Sequence, residues 1–212
     1  MAQPYKAETY KKTFKNPKRS ISITYTKFTE KTPTAIAFNR SVTGGLQVLV
    51  QQFLSRSSEG IMNIPSRLNI KDHVMFYAPN KVISVQYQMF SYLSGAAHPR
   101  TERFTVNYDL AKNKPLTLRK LLRHPHTDLK YIAVYCMRSL LTQNIGRVNF
   151  LSDGAGPDFK NYQNWNLTKQ GLLILFNPDQ VTARIYGSKQ VLIPYNFLKY
   201  RIKLGYLPKK TA

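Results

Sequence analysis

The chain has 212 residues, 42% of them hydrophobic and 12% aromatic, which suits one folded unit or two small joined ones and excludes a disordered chain. Its 32 Lys and Arg against 10 Asp and Glu give a net charge of +22, a field that draws polyanions such as nucleic acid, anionic lipid headgroups or cell-wall polymers. A single cysteine, Cys136, excludes an internal disulfide and a cysteine-rich zinc site, and the longest apolar runs, such as Leu172–Phe176, are too short for a membrane-spanning helix.

Residues 1–19 are polar and basic without periodicity and read as a basic N-terminal arm or a frayed first strand. Ile21-Ser22-Ile23-Thr24-Tyr25 alternates as a half-buried strand does. Thr32 and Pro33 then open a helix running to Ser55, with Ile36, Ala37, Val42, Leu46, Leu49, Val50 and Phe53 at helical spacing. Gly44-Gly45 inside that helix costs up to about 2 kcal/mol in propensity, so the expectation is either close packing there or a bend. Val74–Ala78 and Val82–Leu93 are strands around the turn at Pro79-Asn80-Lys81, and Phe104–Leu110 continues the antiparallel meander.

Thr117 caps a short helix over Leu118–Arg123, and Asp128–Gln143 forms a longer one with Leu129, Ile132, Ala133, Cys136, Leu140 and Leu141 on one face. Residues 144–166 read as a loop-rich stretch around Ser152–Asp158. Strands at Leu172–Phe176 and Val191–Ile193 and a closing helix at Tyr195–Ile202 complete the chain. The order predicts an α+β fold, an antiparallel sheet with helices packed on it. Three segments follow: the 1–19 arm, a strand-helix-meander half at 20–110, and a helix-strand half at 111–212 forming one compact unit with the first.

No catalytic constellation emerges. Cys136 falls on an apolar helix face, and neither a nucleophile elbow nor a phosphate loop occurs. His124-Pro125-His126 lacks a third ligand. Asp153 and Asp158, flanking Gly154 and Gly156, are weak cation candidates, because turn chemistry explains the same residues. No cofactor is expected.

The stretch Gly95-Ala96-Ala97-His98-Pro99, followed by Asn107-Tyr108-Asp109-Leu110 and Leu116-Thr117-Leu118, resembles a bacterial envelope domain. It is the extracytoplasmic domain of the lysozyme-sensing anti-sigma factor, a domain also found beside the catalytic domain of some peptidoglycan deacetylases. The segments ISITYTKF, TAIAFNRSVTGGLQVLVQQF and WNLTKQGLLILFNPDQVTARIYGSKQVLIPYNFL resemble its first strand, its Asn-containing helix and its closing pattern, so the likeness covers about residues 20–200. Ala96 stands where the family has a second glycine, and Tyr25-Thr26 where it has Tyr-Pro.

The resemblance implies a non-catalytic module outside the cytoplasm, with His98 and Pro99 shaping a strand connection. Met1-Ala2-Gln3 suits an initiator methionine set before a mature terminus, so the expectation is a periplasmic or extracellular protein whose signal peptide has been removed. The leading function is binding or sensing in the cell envelope, with an anionic envelope polymer or an envelope protein as partner. The candidate ligand contacts are Ser94, His98, Arg100, Arg103, Lys112, Lys114 and Arg119. The alternatives are a nucleic-acid binder, an enzyme acting on peptidoglycan, and a lysozyme-binding receptor or inhibitor, the last disfavoured by charge.

Overall fold

The computed structural model describes residues 6–57, 64–143 and 150–206. Strands β1 (Ala7–Lys15), β2 (Arg19–Phe28), β3 (Ser66–Ala78), β4 (Val82–Tyr92), β5 (Arg100–Asp109) and β6 (Lys114–Pro115) form one sheet in chain order. Helix α1 (Pro33–Arg56) carries the chain from β2 to β3, which therefore run parallel; every other pair is antiparallel. The fold class is α+β, and the larger sheet is mixed where an antiparallel one was expected. Residues 1–5 of the anticipated arm lie outside the described residues, but Ala7–Lys15 is a strand. From Glu8 to Lys15 every residue is exposed, which is why the segment shows no apolar period: it is an edge strand guarded by lysines.

Helix α1 starts as its cap residues dictate, with Thr32 Oγ1 accepting from the Ala35 N–H at 3.2 Å and Pro33 in the first turn. Its buried stripe is Ala35, Phe38, Val42, Leu46 and Phe53, whereas Ile36, expected inside, is 46% exposed. Asn39 ties it to the sheet, its side-chain amide donating to Phe28 O at 2.8 Å and accepting from Phe28 N at 2.9 Å. The stripe packs on Ile21, Ile23, Leu68, Ile70, Ile83, Val85, Tyr87 and Tyr108. Full burial of a side chain such as Phe38 contributes about 1.5–3 kcal/mol. Nothing packs close to Gly44 or Gly45, which sit on the exposed side.

The second core lies on the other side of the sheet. Helices α2 (Leu118–Leu121), α3 (Pro125–Leu141), α4 (Leu151–Ala155) and α5 (Tyr195–Leu198) surround an antiparallel sheet of β7 (Trp165–Leu167), β8 (Gly171–Phe176) and β9 (Lys189–Pro194). Leu129, Ile132, Ala133, Cys136 and Leu140 of α3 pack on Leu172, Ile174, Phe176, Val191 and Ile193. Helix α3 begins three residues earlier than expected because Pro125 suits a first turn and Asp128 Oδ2 accepts from the His124 N–H at 2.7 Å. Strand β3 was expected only from Val74. Asp72 interrupts its apolar alternation, and a bulge between Val74 and Phe76 sends Phe76 to the second core while Leu68 and Ile70 serve the first.

The two sheets are joined by a buried polar cluster. Ser84 Oγ donates to Asn107 Oδ1 at 2.5 Å and accepts from Asn166 Nδ2 at 2.9 Å and Leu167 N at 3.0 Å, while Asn107 Nδ2 donates to Trp165 O at 2.7 Å. Asn107-Tyr108-Asp109-Leu110 is thus structural. Asn107 bridges the sheets, Tyr108 stands edge-on to Phe38, Asp109 Oδ1 accepts from Lys112 N at 2.8 Å, and Leu110 lies in the first core.

Candidate functional site

The smaller sheet covers only part of the larger one. It sits over the end holding Ser84, Gln86, Thr105 and Asn107, through contacts from Asn166, Leu167 and Trp165. Because side chains alternate across a strand, register places Gln88, Phe90 and Tyr92 on that same face, beyond the covered end. Opposite partners across the strands then form rows. One row runs Lys11, Thr24, Lys71, Gln88 and Arg103; another runs Thr13, Ser22, Asn69, Phe90 and Thr101; a third runs Lys15, Ser20, Arg67 and Tyr92. Five cations therefore stand on these rows with no Asp or Glu among them. Lys11, Lys15, Arg67, Lys71 and Phe90 are exposed, and Tyr92 and Arg103 are half-buried.

Arg103 lies where Asn177 clasps the β5 backbone, and His73, exposed and opposite Gln86, marks the border with the covered half. Acidic groups near this part of the sheet turn away. Asp72 shares the α1 side with Tyr87, accepts from Thr26 N at 2.6 Å, and has its carboxyl raised above the ordinary range chiefly by burial. A flat basic face with two aromatic rings suits a linear polyanion. Its cations answer repeating charges, and the rings offer stacking surface.

Of the residues singled out from sequence, only Arg103 lies on this face. His98 and Arg100 line a cleft of about 180 Å³ on the α1 side, with Gln52, Arg56, Ser91 and Glu102. Ser94 is in the turn between β4 and β5, its N–H donating to Ser66 Oγ at 2.9 Å. Gly95 there adopts φ of +82°, and Ala96 N donates to Leu93 O at 2.9 Å, so the Gly-Ala-Ala-His-Pro run makes a turn. His98 shares its cleft with a hydroxyl and a carboxylate, yet no hydrogen bond joins it to Ser91 or Glu102 among the described residues, so a nucleophile, base and orienting acid are not assembled.

The remaining candidates act in the second half of the fold. Lys112 Nζ lies 3.8 Å from Asp109 Oδ2 and 3.3 Å from the Tyr206 hydroxyl, which itself donates to Asp109 Oδ2 at 2.5 Å. The Tyr206 bond, reinforced by Asp109, raises the Lys112 ammonium. Lys114 lines the same small cleft on the two-residue strand β6. Arg119 stacks on Phe159 at 4.1 Å and meets His126 Nε2 at 3.1 Å. Lys112 thus ties the C-terminal turn to the end of β5, and Arg119 ties α2 to the 159–162 turn and to α3.

The weak cation candidates separate as well. Asp158 caps a turn at Phe159–Tyr162, accepting from Lys160 N at 3.0 Å and pairing with Lys160 Nζ at 3.2 Å; those contacts hold its carboxyl below the ordinary range. Asp153 lies on α4, where the sequence read a loop. Gly154 is explained by packing: a Cβ there would fall 1.7 Å from Gln180 O. Among the described residues no group of three His, Cys, Asp or Glu could hold a metal ion.

Comparison with known proteins gives the chain its relatives. Residues 121–196 match the family described as a protein of unknown function, DUF3298. Over 101 residues the chain is 31% identical to the immunogenic protein MPT64 of Mycobacterium tuberculosis, covering 48% of this chain and 44% of that one. It is 26% identical over 160 residues to the esterase Rv3036c of the same species, covering 70% and 69%. To the peptidoglycan-N-acetylmuramic acid deacetylase PdaC of Bacillus subtilis it is 23% identical over 146 residues, covering 68% and 31%. The chain thus spans less than half of MPT64 and about a third of the deacetylase.

Two crystal structures of DUF3298 family proteins share the fold. That from Pseudomonas aeruginosa matches with a TM-score of 0.70 at 14% identity, covering 98% of this chain and 99% of its own. That from Bacteroides fragilis matches with a TM-score of 0.63 at 14% identity, covering 94% of each. The deacetylase part of the resemblance drawn from sequence motifs is met by the likeness to PdaC; the link to the anti-sigma factor rests on the motifs alone.

Proposed function

We propose that this protein is a non-catalytic binding module of the bacterial cell envelope that holds an anionic polymer on the open sheet face. One observation carries the reading: Lys11 and Lys15 of β1, Arg67 and Lys71 of β3 and Arg103 of β5 stand on alternate strands of one face, on rows that contain no carboxylate. An envelope setting is supported by the likeness to a protein named as a peptidoglycan deacetylase, although this chain spans only 31% of that relative. Binding without catalysis is favoured because the three rows present cations, hydroxyls, amides and two rings rather than paired carboxylates. The reading places the protein in the periplasm or outside the cell.

The test is titration with a poly(glycerol phosphate) teichoic acid at low and at near-physiological ionic strength, using the intact chain and the double variant Arg67→Glu, Lys71→Glu. Both side chains are exposed on a strand, so the fold survives the change. Binding should weaken with salt and fall at least about tenfold in the variant, the loss set by reversing two contact charges. Equal binding by both proteins would remove the face from the function. Phe90 and Tyr92 beside cations also suit stacked bases, so single-stranded DNA is the second arm. Tighter binding of DNA than of polymer at matched salt would replace the envelope reading with the nucleic-acid one.

A further inference from the structure

On the opposite side of the sheet, between α1 and the β1–β2 hairpin, runs a groove of about 640 Å³. Helix α1 packs on core residues of β2 and β3, and β1 lies beyond them at the edge of the sheet. The groove's apolar lining is Phe14, Ile21, Ile23, Leu46, Val50 and Leu54. Ile21, Ile23 and Leu46 are core residues less than a tenth exposed, whereas Phe14 on the edge strand is 53% exposed. Phe14 thus leaves about half of its surface uncovered on the groove. The volume lies in the range of small-molecule sites.

Two cations stand on this groove, Lys12 and Arg19, and no acidic side chain lines it. Lys12 pairs across the strands with Ile23, so it stands on the α1 side. Arg19 donates from one terminal nitrogen to Ser57 O at 2.5 Å, while its Nε–H is buried and has no acceptor among the described residues. The half-buried guanidinium keeps a positive charge at that end of the groove, where an anion can pair with it. An apolar trough with cations at its rim fits a molecule that is apolar along its length and negative at one end.

We infer that the groove binds a free long-chain fatty acid, its chain along Ile21, Ile23, Leu46 and Val50 and its carboxylate at Arg19 and Lys12. The site is separate from the polymer face, from which the whole sheet divides it, so either reading can fail alone.

The probe is palmitate, added below its micellar concentration to the full chain and followed by calorimetry, with palmityl alcohol and phosphatidylglycerol vesicles as separate arms. Gln47→Trp places a large ring in the groove from an exposed helix position, and Lys12→Glu reverses the rim charge from an exposed strand position. Palmitate should bind at one site per chain. Gln47→Trp should weaken it at least tenfold and Lys12→Glu severalfold, and the alcohol should bind more weakly than the acid. Polymer binding should be unchanged in Gln47→Trp and should fall much less in Lys12→Glu than in the Arg67→Glu, Lys71→Glu variant. Absence of saturable palmitate binding, equal affinity in Gln47→Trp and the parent, or binding to vesicles alone would overturn the proposal. Thermal unfolding of each variant confirms that it is folded.

Discussion

Asn177 and Arg103 clasp one another through the backbone: the Arg103 N–H donates to Asn177 Oδ1 at 2.8 Å, and Asn177 Nδ2 donates to Arg103 O at 2.8 Å. The side-chain amide thereby takes the place of a continued sixth strand at the edge of β5, where the two-residue strand β6 reaches only Tyr108 and Asp109. It also fixes the smaller sheet to the larger, because Asn177 directly follows β8.

Asn177→Ala should therefore destabilise the protein by about 1–3 kcal/mol, the cost of stripping partners from two half-buried backbone groups. Chemical denaturation measures this. A change within error would mean that the clasp adds nothing beyond what water supplies.

Gly44 and Gly45 lead to the opposite sign. A Cβ at either position meets nothing within 4 Å, and both residues are on the exposed side of a long helix. Replacing both by Ala should raise stability by about 1–2 kcal/mol, from helix propensity alone. Thermal unfolding of the double variant tests it, and destabilisation would reveal a contact on that face.

Asp72 sets a pH dependence. Burial raises its carboxyl above the ordinary 3.8, with Thr26 hydrogen bonds opposing the shift. A carboxyl raised by folding contributes its full stabilisation at pH below the unfolded value and loses it as pH rises through the folded one. Asp72→Asn keeps an acceptor for Thr26 N and removes the titration. The variant should gain stability relative to the parent as pH climbs from below the ordinary carboxyl value upward through the raised one. Parallel stability curves for the two proteins would refute the assignment.

Cys136 is fully buried against α3's neighbours, and burial pushes its thiol far up. It should react with a thiol reagent only on unfolding. Cys136→Ser should cost about 1–3 kcal/mol, because a hydroxyl enters an apolar site, and polymer binding should persist. Lost binding at undiminished stability would contradict a packing role.

What the sequence made legible follows from what each element buries. Helices α1 and α3 announced themselves because one face of each is apolar; β1 did not, because an edge strand with exposed lysines has no buried face to imprint a period. The first half of β3 was hidden by Asp72, polar on the core side. The gathering of the basic face depended on register. Lys11 and Lys71 are sixty residues apart and become neighbours only through Thr24, so the total charge was readable but its gathering was not. The spacing of Lys11 with Lys15, and of Arg67 with Lys71, carried the one available signal, a period of two along strands.

The last prediction concerns lysozyme, the partner that the motif resemblance brings forward. Animal-type lysozymes are strongly basic, so binding to a chain of net charge +22 would need an acidic patch. Glu8, Asp109, Asp128, Asp158 and Asp179 each lie in an ion pair with a Lys or Arg of the chain itself. Asp72 accepts from Thr26 N and Glu30 from Lys6 N. Glu102 stands between Arg100 and Arg103 in the sequence, and Asp153 is alone on the short helix α4. No two unpaired carboxylates among these make a surface that could offset long-range repulsion. Titration of lysozyme against the intact chain should give weak or no binding at low salt, where repulsion is least screened, while the teichoic acid binds best under those same conditions. Tight lysozyme binding that survives added salt would show a contact built on shape and apolar burial, and would promote the receptor reading over the polymer one.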